Sequence, residues 1–166
     1  PAPLVDDTYY GPKPIGFNFC FYGVTYTQFW AGANGWIAFM PLSGATYDPW
    51  VTQPIPNVDP SRPRACVMFP YRDWHPGVSG NILYDLVGTA PCRKLIVSYI
   101  DVALFSCTSS HGNFQCVLHE TTNIIDSQIR VSHSHCENCG FIYKNPEFHL
   151  SLDIEHENYL MHNNSF

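Results

Sequence analysis

Charge is scarce in this chain. Asp, Glu, Lys and Arg together make up 13% of its 166 residues, and eight basic residues stand against fourteen acidic ones, for a formal net charge of −6. Little charge combined with 15% aromatic residues excludes an intrinsically disordered chain, and the composition is equally wrong for a coiled coil. The acidic balance argues against any partner held through many phosphates, so no nucleic acid partner is expected. No apolar run approaches the roughly 18–20 residues of a membrane helix, so no membrane insertion by this segment is expected. The opening Pro1-Ala2-Pro3-Leu4-Val5-Asp6-Asp7 has neither the basic region nor the apolar stretch of a signal peptide. Without an initial Met, the chain reads as a processed or excised fragment of something longer. Helical periodicity with caps is missing. So is a Gly-x-Ser-x-Gly elbow, which Gly77-Val78-Ser79-Gly80-Asn81 misses by one position. With no catalytic constellation in sight, the chain is expected to be non-enzymatic and to need no cofactor.

What is present is punctuation and short alternating runs. Eleven Gly and fourteen Pro separate segments too short for helices, and the length fits a single domain over 1–166. Phe17, Phe19 and Phe21 recur with period two, as one buried face of a strand requires. Residues 26–31 and 36–39 flank Gly32-Ala33-Asn34-Gly35, and Asn-Gly between such runs signals a hairpin. Prolines at 41, 49, 54, 56, 60 and 63 exclude helix interior and central strand, leaving a long irregular loop over 41–63. Beyond it, 65–69, 81–86, 94–101, 114–120, 124–131 and 148–155 read as further strands. The expected fold is therefore all-β, a two-layer antiparallel β-sandwich of Ig-like or jelly-roll-like type, with the Pro-rich loop crossing one end or edge.

Seven cysteines, at 20, 66, 92, 107, 116, 136 and 139, are dense for a reducing compartment and suit a disulfide-bearing extracellular domain. The odd number leaves at least one thiol free or paired to another chain. His133-Ser134-His135-Cys136-Glu137-Asn138-Cys139 contains a Cys-x-x-Cys half-site for zinc. The chain offers no second close pair, so disulfide use is favoured and no metal is expected. Asp73 and the Asp6-Asp7 pair are oxygen donors of the kind calcium takes, but a dense ligand loop such as D-x-D-x-D-G is missing, and an ordinary turn with a capping carboxylate is favoured.

Recognition, if this is a binding domain, should fall on loops held by the sandwich. The loop over 41–63 combines Tyr47 and Trp50 with Asp48, and the segment 71–79 adds Asp73, Trp74 and His75. Rings with acids suit stacking on a sugar and hydrogen bonding its hydroxyls. The competing expectation is that Tyr47 and Trp50 plug the end of the sandwich. Tyr9, Tyr10, Trp30, Trp36, Tyr47, Trp50, Tyr71 and Trp74 together could line a sugar-binding platform or a protein interface, while more than half of these rings are expected to be core packing.

Several segments together resemble a domain repeated in very large cell-surface proteins of gliding and related Bacteroidetes, the gliding-motility-associated adhesin type. They are Gly16-Phe17-Asn18-Phe19-Cys20-Phe21-Tyr22-Gly23, Ala33-Asn34-Gly35-Trp36-Ile37-Ala38-Phe39, Gly88-Thr89-Ala90-Pro91-Cys92-Arg93-Lys94, Phe105-Ser106-Cys107-Thr108 and Val117-Leu118-His119-Glu120-Thr121-Thr122-Asn123-Ile124-Ile125. Their order and spacing agree across 15 to 136. The turn at Asp73-Trp74-His75-Pro76 resembles that family's Asp-x-Asp-Pro turn with its second acid replaced, and the chain after Cys136 departs from the family pattern. Nidogen-type extracellular domains are similar at fewer points: the aromatic strand, Phe-Tyr-Gly and the Asn-Gly hairpin. Both resemblances imply a non-catalytic extracellular module at a cell surface. The first implies that Cys20, Cys92, Cys107 and Cys136 occupy family cysteine positions, with Cys107 expected to pair with Cys136 and Cys20 with Cys92. Function then divides between adhesion to a surface glycan or protein and a structural subunit that binds neighbouring copies of itself in a fibre or array.

Overall fold

The computed structural model describes residues 5–51, 57–132 and 148–152. Its first sheet runs β1(Tyr9–Phe21), β2(Val24–Gly32), β3(Trp36–Ala38), β4(Cys66–Met68), each antiparallel to the next. The second contains β5(Trp74–His75), β6(Asn81–Val87), β7(Lys94–Leu104), β8(Cys107–His119), β9(Ile125–Ser132) and β10(Phe148–Leu152). Its order is β10-β9-β8-β7-β5, with β6 also paired to β7. All pairings are antiparallel, no helix occurs among the described residues, and the two sheets form the expected sandwich.

Alternation decides which side chains fill it. On β1, Ile15, Phe17, Phe19 and Phe21 are buried while the residues between them stay in or near solvent. Phe29, Ile37, Phe39, Val67 and Phe69 join them from the same sheet, opposed by Ile82, Leu95, Val97, Tyr99, Phe114 and Leu118 from the other. Each fully buried ring or branched chain contributes about 1.5–3 kcal/mol relative to exposure. Tyr99 spans the layers, its hydroxyl donating to the Gly32 carbonyl at 2.6 Å. Gly32 has no room for a side chain, since an added Cβ would sit 2.2 Å from the Trp36 indole.

The layers are also tied at one edge. Arg93 donates through Nε to Glu120 at 2.8 Å and through Nη1 to the Gly16 carbonyl on β1 at 2.7 Å. The segment around Glu120, prominent in the adhesin resemblance, thus has a structural use. Burial pushes the Cys66 thiol up to about 12 and raises that of Cys116 further still.

The expected bridge between Cys20 and Cys92 needs correction. Cys20 and Cys92 are both free thiols. Cys20 sits in the β1 ladder opposite Thr25, with its N–H bonded to Asn123 Oδ1, while Cys92 is exposed in the turn between β6 and β7. Cys107 is disulfide-bonded; Cys136, Cys139 and the whole 133–139 segment lie outside the described residues.

Candidate binding site at the loop end

The Asn-Gly hairpin forms as expected, with Gly32 opposite Trp36, but its asparagine does more than turn the chain. Only Gly35 takes a left-handed φ, 83°, and a Cβ there would lie 2.8 Å from the Pro70 carbonyl oxygen. Asn34 is completely buried. Its side chain donates to Asp7 Oδ1 at 2.9 Å and accepts from the Trp74 N–H at 2.9 Å. Its backbone N–H donates to Asp48 Oδ2 at 2.7 Å. One residue therefore joins the N-terminal segment, the Pro-rich loop and the 71–79 turn.

Asp48 is the second half of this hub. Expected to face a ligand, it is instead fully buried, and its Oδ1 accepts from the Trp36 indole N–H at 2.6 Å. The physical reason lies in Trp36, whose indole is enclosed and must find an acceptor inside. Burial pushes the Asp48 carboxyl up to about 8, and the charges of Asp7 and Asp73 push the same way against the bonds from Asn34 and Trp36. The loop backbone is fixed as well: Asp48 N–H donates to the Asp7 carbonyl at 2.6 Å, Tyr71 Oη to Pro49 at 2.8 Å and Ser43 N–H to Pro60 at 2.9 Å.

With Asp48 turned inward, its neighbours point outward. Tyr47 is 50% exposed and Trp50 42% exposed, their ring centroids 5.3 Å apart and their planes tilted by 40°. They are not the plug. That role falls to Trp74, expected as a ligand residue but only 3% exposed, which packs on Phe114 at 5.1 Å and donates its indole N–H to the Pro70 carbonyl. Pairing of β5 with β7 turns Trp74 into the core and leaves its neighbours Asp73 and His75 half-buried.

Asp73 and His75 border an acidic group rather than the exposed rings. Asp6, Asp7 and Asp73 bring carboxylate oxygens within 4.8 Å of one another. Asp73 is pushed up to about 6, first by desolvation and then by Asp7 and Asp6, while His75 opposes the shift. Asp6 Oδ1 lies 3.4 Å from His75 Nδ1. Three such carboxylates could serve as oxygen ligands to a hard cation, although calcium takes six to eight. The sequence singled out all three acids and did not show that the first two meet the third.

This end of the sandwich therefore combines a hydrogen-bonded scaffold with a small displayed aromatic surface, the layout of a loop-bearing β-sandwich module. A model of the family described as NIDO related matches residues 2–142, and the chain belongs to that family. Domains of this kind are extracellular. The match supports the nidogen-type resemblance and does not confirm the gliding-motility adhesin resemblance. No curated protein and no solved structure matches the chain. No helix among the described residues is long and apolar enough to cross a membrane.

Proposed function

We propose that this chain is a non-catalytic adhesion module of a larger cell-surface protein, and that it recognises a glycan or protein through Tyr47 and Trp50. The carrying observation is the pair of half-exposed rings on a backbone held by a buried aspartate. Rings already fixed before contact lose little conformational freedom on binding, and their faces suit the apolar faces of sugar rings or an apolar patch of a protein. Family membership supports the extracellular setting. Of the six ligand-binding candidates in the sequence, this reading keeps Tyr47 and Trp50 as contacts, gives Asp48 a positioning role and withdraws Trp74.

Replacing Trp50 and Tyr47 separately by Ala, then measuring attachment to glycan-coated and protein-coated surfaces alongside thermal melting, tests the proposal. Each variant should lose attachment while stability stays within about 0.5 kcal/mol, as for surface positions generally. Attachment that survives both substitutions overturns it.

A further inference from the structure

The two sheets do not guard their edges equally. At one edge of the first, β1 carries Pro12, Lys13 and Pro14, and its pairing with β2 shifts register on both sides of them. The opposite edge, β4, is three residues long. Prolines, a lysine, bulges and short length are devices that stop a strand edge from recruiting another chain. β6 has none of them. Its seven residues, Asn81–Val87, contain no proline, glycine or basic residue and pair with β7 in unbroken register. No described strand lies along its other side.

The free side of β6 can be read in detail. The Leu86 N–H meets the carboxylate of its own neighbour, Asp85, at 2.9 Å, which places that N–H on the open side. By the alternation of antiparallel pairing, Tyr84 and Ile82 present theirs there too. The same residues carry the apolar side chains of the inner face. Ile82 is buried, whereas Tyr84 and Leu86 are 45% and 42% exposed even though Tyr84 meets the Phe29 ring at 5.6 Å.

We propose that β6 is a self-association edge, along which a second copy of this chain adds its own β6 antiparallel about a two-fold axis at Tyr84. Charge and hydrogen bonding select that register. Centring on Tyr84 sets Tyr84 against its symmetry mate and Ile82 against Leu86, so the residues with free edge groups oppose one another and their apolar side chains continue the inner face. Asp85 then faces Leu83. A two-fold at Asp85 would instead bring two carboxylates together, which is destabilising across a strand pair. In the selected register the Leu86 N–H exchanges the Asp85 carboxylate for the Ile82 carbonyl of the second copy. The second sheets of both copies become one continuous sheet. This inference stands apart from binding at the loop end and does not need it.

Sedimentation equilibrium of the full chain, with the exposed Cys92 alkylated to prevent disulfide dimers, gives the first test, and amide hydrogen exchange across a dilution series gives the second. A reversible dimer is expected, with the Ile82, Tyr84 and Leu86 amides exchanging at least tenfold slower at the concentrations where it forms. Tyr84→Lys, which would set two ammonium groups at the axis, should leave a folded monomer by circular dichroism. A chain that stays monomeric to about 1 mM overturns the proposal, as does a dimer whose β6 amides exchange at the monomer's rate. The exchange measurement decides even if the variant fails to fold.

Discussion

Enclosing Asp48 gives this domain an acid preference that its composition does not suggest. The ordinary carboxyl value is 3.8, and in the folded chain burial raises it to about 8. Between those values the folded state keeps a proton that the unfolded state has released, so stability falls as pH rises. Each pH unit in that window removes about 1.4 kcal/mol, and between pH 5 and 7 Asp48 alone should remove about 2–3 kcal/mol. That is a large part of the roughly 5–15 kcal/mol that holds a domain together. Asp73, raised to about 6, adds to the slope in its lower part. Urea denaturation at pH 5, 6, 7 and 8 measures it. Asp48→Asn removes the titrating group but leaves either the Asn34 N–H or the Trp36 indole N–H without an acceptor, a cost of about 1–3 kcal/mol. The variant should therefore cross the natural chain between about pH 4.5 and 6, show little slope above pH 6, and be the more stable protein at pH 7 and 8. Stability that is flat or rises from pH 5 to 7, or a variant that keeps the full slope, would refute the reasoning.

Other expectations follow from the same contacts. Trp74→Ala should cost about 3–5 kcal/mol by chemical denaturation, the range for emptying a core site of a large ring. Asn34→Ala should cost about 1–3 kcal/mol, because Asp7 loses the amide donor and the buried Trp74 N–H keeps only the Arg72 carbonyl as acceptor, and limited proteolysis should then cut the 41–63 loop sooner. Glu120 is held down at about 2 by its hydrogen bonds to Arg93; its stabilisation should persist through neutral pH and fade as pH falls from the ordinary carboxyl range toward 2. Glu120→Gln should accordingly make acid unfolding less steep. In the folded chain a thiol reagent should modify exposed Cys92 at once and buried Cys116 only after unfolding.

Much of the fold was legible because it rests on local patterns. Phe17, Phe19 and Phe21 announce a strand and its buried face, and Asn34-Gly35 with flanking aromatic runs announces the hairpin. Of the loop expected over 41–63, the described residues 41–51 and 57–63 form no strand, as their prolines foretell. The site was less legible because its assignments depend on partners distant in sequence. Asp48 is flanked by exposed rings and has the look of a surface acid; what turns it inward is an indole N–H twelve residues earlier that needs an acceptor. A tryptophan on a strand buried on both faces is a signal that some polar side chain must come to it, and that signal could have drawn Asp48 out of the ligand set. Trp74 was misread for a related reason: only the pairing of β5 with β7 shows which way a two-residue strand faces.

The burial of Asn34 also bears on how this protein ages. Asparagine followed by glycine is chemically fragile, because the glycine nitrogen can attack the side-chain amide and release ammonia. Here both ends of that amide are held, by Asp7 and by the Trp74 N–H, while the Gly35 N–H is directed to the Gly32 carbonyl at 3.3 Å. The attacking and attacked groups are kept from the approach that deamidation needs as long as the hairpin stays closed. Once opened, the same site would gain a further carboxyl group beside Asp7 and Asp48, in an enclosure that already makes Asp48 hold its proton. A molecule altered in that way would struggle to close again, so long-lived copies depend on the hairpin rarely opening.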